Sequence, residues 1–182
     1  MWRRLRHFVG YKRIPISIGM GTLFWVLASP TPSRILLGLP IVGIGELLRI
    51  WASGTIEKNA AVISWGPYAF TRNPLYFGNF LIGIGFVIMG NSVWLLVLFF
   101  AVFPLVYWPT ILEEEHFLRE RFGAAYEAYL KSVPRFFPLL TARRWARGQF
   151  QWGLVIRHRE HQTWYGLIAG VAAVVIRSWF VA

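Results

Sequence analysis

Glu113, Glu114 and Glu115 stand in a row where a run of 40 uncharged residues ends, and His116 follows directly. Three adjacent carboxylates at a hydrocarbon boundary repel one another and resist desolvation, so the cluster calls for a cation. Successive helical residues point about 100° apart, so Glu114 and Glu115 would address different groups rather than share one proton. Thr110 with Glu113 fits a capping box, which would start a helix at Thr110 and give Glu113 a structural role. His7, His116, His158 and His161 do not fall at metal-ligand spacing, and His116 draws attention through the glutamates that precede it.

The second candidate segment is Gly66-Pro67-Tyr68-Ala69-Phe70-Thr71-Arg72-Asn73-Pro74-Leu75-Tyr76-Phe77-Gly78, at the mouth of the uncharged run. A guanidinium between Tyr68 and Tyr76 suits bidentate capture of a carboxylate, and it equally suits an aromatic belt at a membrane surface. Asn73 as N-cap and Pro74 in the first turn fit a helix start. Glu46 and Arg49, one helical turn apart in an apolar stretch, either neutralise each other or contact a substrate. Gly83 and Gly85 would admit a ligand to the backbone or let two helices pack closely. The chain shows no Ser, His and acid arrangement, no P-loop and no dinucleotide fingerprint. With no cysteine there is no thiol nucleophile, disulfide or thiolate metal site.

These residues must be positioned by membrane helices. Of 182 residues 56% are hydrophobic, 18% aromatic and only 15% charged, with a mean hydropathy of +0.49. A soluble domain carries about 25% charged residues, so the polar material here cannot cover a water-facing surface. The expected fold is an all-α integral membrane protein with about five transmembrane helices. Helix one covers 14–33 and closes at Pro30 and Pro32, and helix two covers 35–56. The uncharged run from Asn73 to Leu112 makes a hairpin turned at Gly90-Asn91, and the fifth span covers 162–181. The basic start through Arg13 imitates a signal peptide, but no small-residue cleavage site follows it, so it leads into the first span. With a cytoplasmic amino terminus, all 19 basic residues except Arg34 and Arg177 lie on the cytoplasmic side. The net charge of +11 is thereby absorbed by topology, and nucleic acid is not expected as a partner.

Taken in order, the two segments resemble the membrane methyltransferases of the isoprenylcysteine carboxyl methyltransferase and phospholipid methyltransferase superfamily. The similarity runs from Gly66 to Tyr68, through Arg72 to Gly78, to Glu114, Glu115 and Leu118. It continues with Phe122-Gly123, Tyr126, Tyr129 and Val133-Pro134-Arg135. Gly45-Glu46-Leu47-Leu48-Arg49, with Trp51, Ala52 and Gly54, resembles the bacterial branch. The resemblance covers roughly residues 38–138, so 1–138 is taken as the methyltransferase core and 139–182 as a basic, aromatic segment with an additional helix. It implies a bacterial or archaeal inner membrane, S-adenosylmethionine as methyl donor on the cytoplasmic side, and a lipid or prenylated acceptor entering from the bilayer. By the same resemblance Tyr68, Arg72, Asn73, Pro74, Tyr76, Gly78, Gly83, Gly85, Glu114, Glu115 and His116 belong to the cofactor region. Glu115 and Arg72 would lie nearest the chemistry. Many relatives have His where this chain has Asn73, and eukaryotic carboxyl methyltransferases have Arg where it has Thr110.

Methyl transfer from a sulfonium is an in-line displacement that needs positioning more than covalent help. A carboxylate acceptor needs no base, whereas an amine acceptor must lose a proton, for which Glu115 is the candidate base. The competing reading is a non-catalytic transport or assembly subunit. Against it, the uncharged hairpin offers no polar line through the bilayer, and the ionisable residues collect on one face. The topology predicts that cysteines introduced as Ser92→Cys and Ser132→Cys are labelled by an impermeant maleimide from opposite sides. Labelling from the same side would dismantle the hairpin.

Overall fold

Two tight turns at one end of a helical bundle decide where the polar segments gather. The computed structural model describes residues 13–56, 61–139 and 149–181. The basic amino-terminal residues 1–12 and the basic stretch 140–148 lie outside the described residues. Helix α1 spans Arg13–Leu27, α2 Pro32–Thr55, α3 Pro74–Gly90 and α4 Val93–Phe122. Helices α5 (Ala124–Ser132), α6 (Trp152–Arg157) and α7 (Glu160–Val181) follow. A 3-10 turn occupies Gly66–Ala69.

The chain is an all-α integral membrane protein. Helices α2, α4 and α7 are long and apolar enough to cross a bilayer, and α3 is a shorter apolar helix of 17 residues. At 1.5 Å per residue α3 reaches about 25 Å, near the lower limit for a span. Each apolar segment of the sequence therefore becomes a helix, with shifted ends. Pro32 opens α2 instead of closing α1, because Thr31 caps it: the Thr31 hydroxyl accepts from the Arg34 N–H at 3.4 Å. A proline at a first helical position loses no hydrogen bond.

The α3–α4 hairpin turns at Asn91, which adopts the left-handed region at φ 48°, and its N–H reaches the carbonyls of Val87 and Ile88, both at 3.2 Å. The Ser29 N–H donates to Gly90 O at 2.9 Å, and the Asn91 side chain donates to Ser29 O at 3.2 Å. The turns after α1 and α3 are thus tied together. The far ends of α2 and α4 and the start of α3 must then meet at the opposite end.

One expectation fails in α4. This helix runs unbroken through Pro104 and Pro109, so Thr110 is not an N-cap and the capping box with Glu113 does not exist. The Thr110 hydroxyl donates back to Val106 O at 3.2 Å, as a mid-helix threonine does. Proline is tolerated inside membrane helices because the freed backbone groups find other partners. The three glutamates therefore ride on the extension of a membrane helix.

A glycine seam joins α2 to α3. A Cβ on Gly45 would stand 2.8 Å from Gly78 O, and one on Gly85 would stand 2.9 Å from Gly38 O. Small residues at matching positions let the two backbones approach, which drives association where lipid supplies no hydrophobic contrast. Ile35, Val42, Met89 and Val174 form the core beside the seam, packed by Phe24, Ile82 and Phe86. We expect Gly45→Val to cost about 1–3 kcal/mol by overpacking, read as a lowered midpoint of thermal unfolding in detergent. Gly43→Val, on an exposed face with open space around it, should leave the midpoint unchanged.

Candidate functional site

The residues of the first motif are shaped by a strap that arrives from 60 positions downstream. The Arg72 N–H donates to Pro134 O at 2.9 Å, and the Leu139 N–H donates to Phe70 O at 2.9 Å. The Thr71 hydroxyl and the Asn73 amide both donate to Arg135 O, at 3.2 and 2.9 Å. Asn73 does stand at the N-cap of α3, but its side chain makes no capping bond; it holds the strap instead. Tyr129 of α5 donates to Tyr68 O at 2.7 Å, fixing the 3-10 turn.

The strap delivers Arg135 to Glu115. The Arg135 Nε donates to Oε1 at 3.0 Å and to Oε2 at 3.2 Å, and Nη2 donates to Oε2 at 2.9 Å. From the other side Arg72 Nη1 stands 3.0 Å from Glu115 Oε1. The Glu115 side chain is 5% exposed, so both guanidinium groups are needed to compensate a nearly desolvated carboxylate. The pairing with Glu115 raises the Arg135 pKa above its ordinary value. Glu114 points elsewhere, accepting from the Tyr76 hydroxyl at 2.9 Å. The two adjacent glutamates address different groups, as their helical spacing requires.

A second ionic cluster sits beyond the glycine seam. Arg49 Nη1 donates to Asn79 Oδ1, and Nη2 donates to Glu160 Oε2 at 2.6 Å and Thr163 Oγ1 at 3.2 Å. Glu46 stands 3.4 Å from Arg49 Nε and accepts from Trp164 Nε1 at 2.8 Å. Glu46 and Arg49 are therefore paired, but within a larger network that ties α2 and α3 to α7.

Between the clusters lies a cavity of about 370 Å³, within the size range of small-molecule sites. Tyr68, Arg72, Asn73, Pro74, Tyr76, Glu114 and Glu115 line it, together with Arg49, Asn79, Glu160, Tyr126, Tyr129 and apolar residues of α4. Two buried polar atoms in this lining, Tyr68 Oη and Arg72 Nε, have no hydrogen-bond partner among the described residues. Burial pushes the Tyr68 hydroxyl well above the ordinary tyrosine pKa, and Tyr129 and Tyr126 shift the same way, Tyr126 to about 12. All three remain neutral phenols at physiological pH.

Gly78, Gly83, Gly85 and His116 are not part of the lining. Gly78 makes room for the Arg49 stem, Gly83 packs on Phe99 and Gly85 packs on α2, so a Cβ at any of them would collide with protein. His116 is exposed and stands 3.3 Å from Glu120 on the same helix. Arg49, for which substrate contact was one of two readings, does line the cavity, and Arg135 and Glu160 belong to the site although sequence reasoning gave them no role there. Arg135 closes the Val-Pro-Arg run, and Glu160 is the sole acid between Leu139 and Ala182; both signals were present.

The sequence model of the phospholipid methyltransferases matches residues 33–125. The nickel-cobalt-cadmium resistance protein NccN of Alcaligenes xylosoxydans is 28% identical over 76% of this chain and 68% of its own length. The cobalt-zinc-cadmium resistance protein CzcN of Cupriavidus metallidurans is 29% identical over 81% of this chain and 69% of its own. A protein-S-isoprenylcysteine O-methyltransferase of Schizosaccharomyces pombe is 36% identical over 46% of this chain and 36% of its own. No solved structure matches.

Removing Glu115 would leave two guanidinium groups facing each other without their shared anion. Glu115→Ala should cost about 3–5 kcal/mol, the usual cost of stripping one partner from a buried ionic group, measured by denaturant unfolding in micelles. Arg135→Lys should recover little of an Arg135→Ala loss, because an ammonium cannot reproduce the two-point contact. Wild-type stability in Glu115→Ala would remove the cluster from the structural core.

Proposed function

The chain belongs to the phospholipid methyltransferase family, and on that premise we propose that it transfers a methyl group from S-adenosylmethionine to the polar head of a lipid or prenylated acceptor. The observation that carries this reading is the pair of unpartnered buried atoms, Tyr68 Oη and Arg72 Nε, in one aromatic-walled cavity. Buried polar groups are normally hydrogen-bonded, so an unpaired donor in a cavity wall marks a ligand contact. Arg72 keeps N–H capacity beyond its bond to Glu115, which suits the donor's carboxylate. The faces of Tyr68, Tyr76 and Tyr126 suit its positive sulfur. When bound, that donor supplies a methyl carbon on a sulfonium, and the bond to sulfur breaks as the acceptor's lone pair attacks.

The protein's part is positioning and exclusion of water. Both oxygens of Glu115 accept from guanidinium groups, so we assign it to holding Arg72 and Arg135 in place. Glu114, exposed on the same wall and hydrogen-bonded to Tyr76, is the carboxylate set to receive the proton of an amine acceptor. A carboxylate acceptor would need no such step. The surplus of basic residues on the motif-bearing segments supports a cytoplasmic site and amino terminus.

The acceptor is argued from the cavity, since the relatives named for resistance are named by metals and not by a methyl acceptor. Phe117 and Leu118 line the cavity, and Phe117 is at the same time 48% exposed. Val106, three turns earlier on the same side of α4, is exposed as well. An acceptor tail can stay against this face while its head enters the cavity.

Radiolabelled donor incubated with membranes should label a lipid-phase product, and Arg72→Ala should weaken binding of S-adenosylhomocysteine about tenfold or more. Each buried methylene contributes roughly 0.8 kcal/mol, so turnover should rise with acceptor tail length. A tail-free head-group analogue methylated as efficiently as the lipid would move the substrate into water, and a chain that binds no adenosyl ligand would end the methyl-transfer reading.

A further inference from the structure

The cluster around Arg49 does not balance its charge. One guanidinium faces two carboxylates, Glu46 at 3.4 Å and Glu160 at 2.6 Å, with side-chain exposures of 12%, 12% and 7% for Arg49, Glu46 and Glu160. No other cation among the described residues pairs with either acid. The remaining partners, Asn79, Thr163 and Trp164, are neutral. A buried surplus of negative charge is costly and calls for a cation. Glu46 lies outside the cavity lining, whereas Arg49 and Glu160 line it. Glu160 is therefore the acid of this cluster that meets whatever occupies that space.

Tyr68 supplies an independent observation in the same cavity. It is 6% exposed, lines the cavity and has an unpartnered hydroxyl. A carboxylate and an aromatic ring in one cavity make the environment that recognises ammonium groups. The other cluster has the opposite imbalance, two guanidinium groups on Glu115, with Arg72 Nε unpartnered.

We propose that Glu160, contributed by α7 outside the matched family region, forms with Tyr68 a subsite for an ammonium group of the ligand in the cavity. The identity of that ligand rests on the methyl-transfer reading: the ammonium belongs either to the amino-acid end of the donor or to an amine-headed acceptor. On either source α7 is part of the binding site, and its first turn sets which charged ligand the cavity holds.

The test uses the full chain in detergent micelles as wild type, Glu160→Gln and Thr163→Val. Gln still accepts from Arg49 but removes the surplus charge, leaving Arg49 paired with Glu46. The unliganded Glu160→Gln protein should therefore unfold at the same temperature as wild type or higher. Calorimetry then compares S-adenosylhomocysteine with 5′-methylthioadenosine, which lacks the amino-acid end, and dodecylammonium with dodecanol. Glu160→Gln should lose about tenfold or more in affinity for an ammonium-bearing probe and keep its affinity for the matched probe without one. Loss for S-adenosylhomocysteine assigns the subsite to the donor, and loss for dodecylammonium assigns it to the acceptor. Thr163→Val, which removes an Arg49 contact without changing charge, should weaken neither. The proposal is overturned if Glu160→Gln unfolds earlier or fails to fold, if matched probes weaken equally, if neither ammonium probe weakens, or if Thr163→Val reproduces the loss. A wild-type chain that binds no adenosyl probe would sink the methyl-transfer reading alone, because the dodecylammonium and dodecanol pair still reads the subsite.

Discussion

A carboxylate that leaves water at the edge of a membrane must take its counter-charge with it, and Glu115 does so twice. Arg72 reaches it from the loop before α3, and Arg135 from the strap after α5. That single anion holds three segments together: the extension of α4, the loop that begins α3, and the chain 60 residues further on. The backbone bonds around Thr71, Asn73 and Pro134 close the same clasp from outside. A cavity wall made of loops gains in this way the rigidity that helices supply elsewhere.

The glycine seam governs the second ionic cluster. Because Gly45 and Gly78 bring α2 and α3 into backbone contact, the Arg49 stem passes directly over Gly78 and its head reaches Asn79. In lipid such contact depends on small side chains, since apolar surface alone gives no preference for protein over acyl chains. Helix α7 then joins through Glu160, Thr163 and Trp164. Residues near the end of the chain thereby enter a site whose motifs lie in its middle.

Two ionic clusters of opposite imbalance bound one cavity, and this arrangement links fold to chemistry. Each cluster is stabilising only as far as its charges are compensated within the protein, so the uncompensated part is available to a ligand. The tyrosines between them, neutral because burial raises their pKa values, add hydrogen-bond donors and ring faces without adding charge. The cavity thus separates its roles, with charge at the two ends, aromatic surface between them, and an apolar wall on the α4 side.

The sequence by itself determined the all-helical membrane fold, because uninterrupted apolar runs of about 20 residues satisfy their backbone in lipid as helices, whereas barrel strands are shorter and alternate apolar with polar residues. It also determined the hairpin, since Gly90-Asn91 can take the left-handed turn, and the pairing of Glu115 with a cation, since three adjacent carboxylates cannot remain uncompensated at that boundary. Local signals misled where tertiary context overrode them. Thr110 and Glu113 have the spacing of a helix start, yet α4 runs past Pro109 without a break. Asn73 has the chemistry of a cap but spends its amide on Arg135. Gly78, Gly83 and Gly85 were legible as small residues, but whether they face a ligand or a neighbouring helix depends on which helix lies opposite. Only the tertiary structure decided that Arg135 is the second cation on Glu115 and that Glu160 completes the wall. Both depend on contacts across 20 and 111 positions of chain, and no periodicity or local spacing encodes which distant segment closes over a cavity; packing and charge balance do.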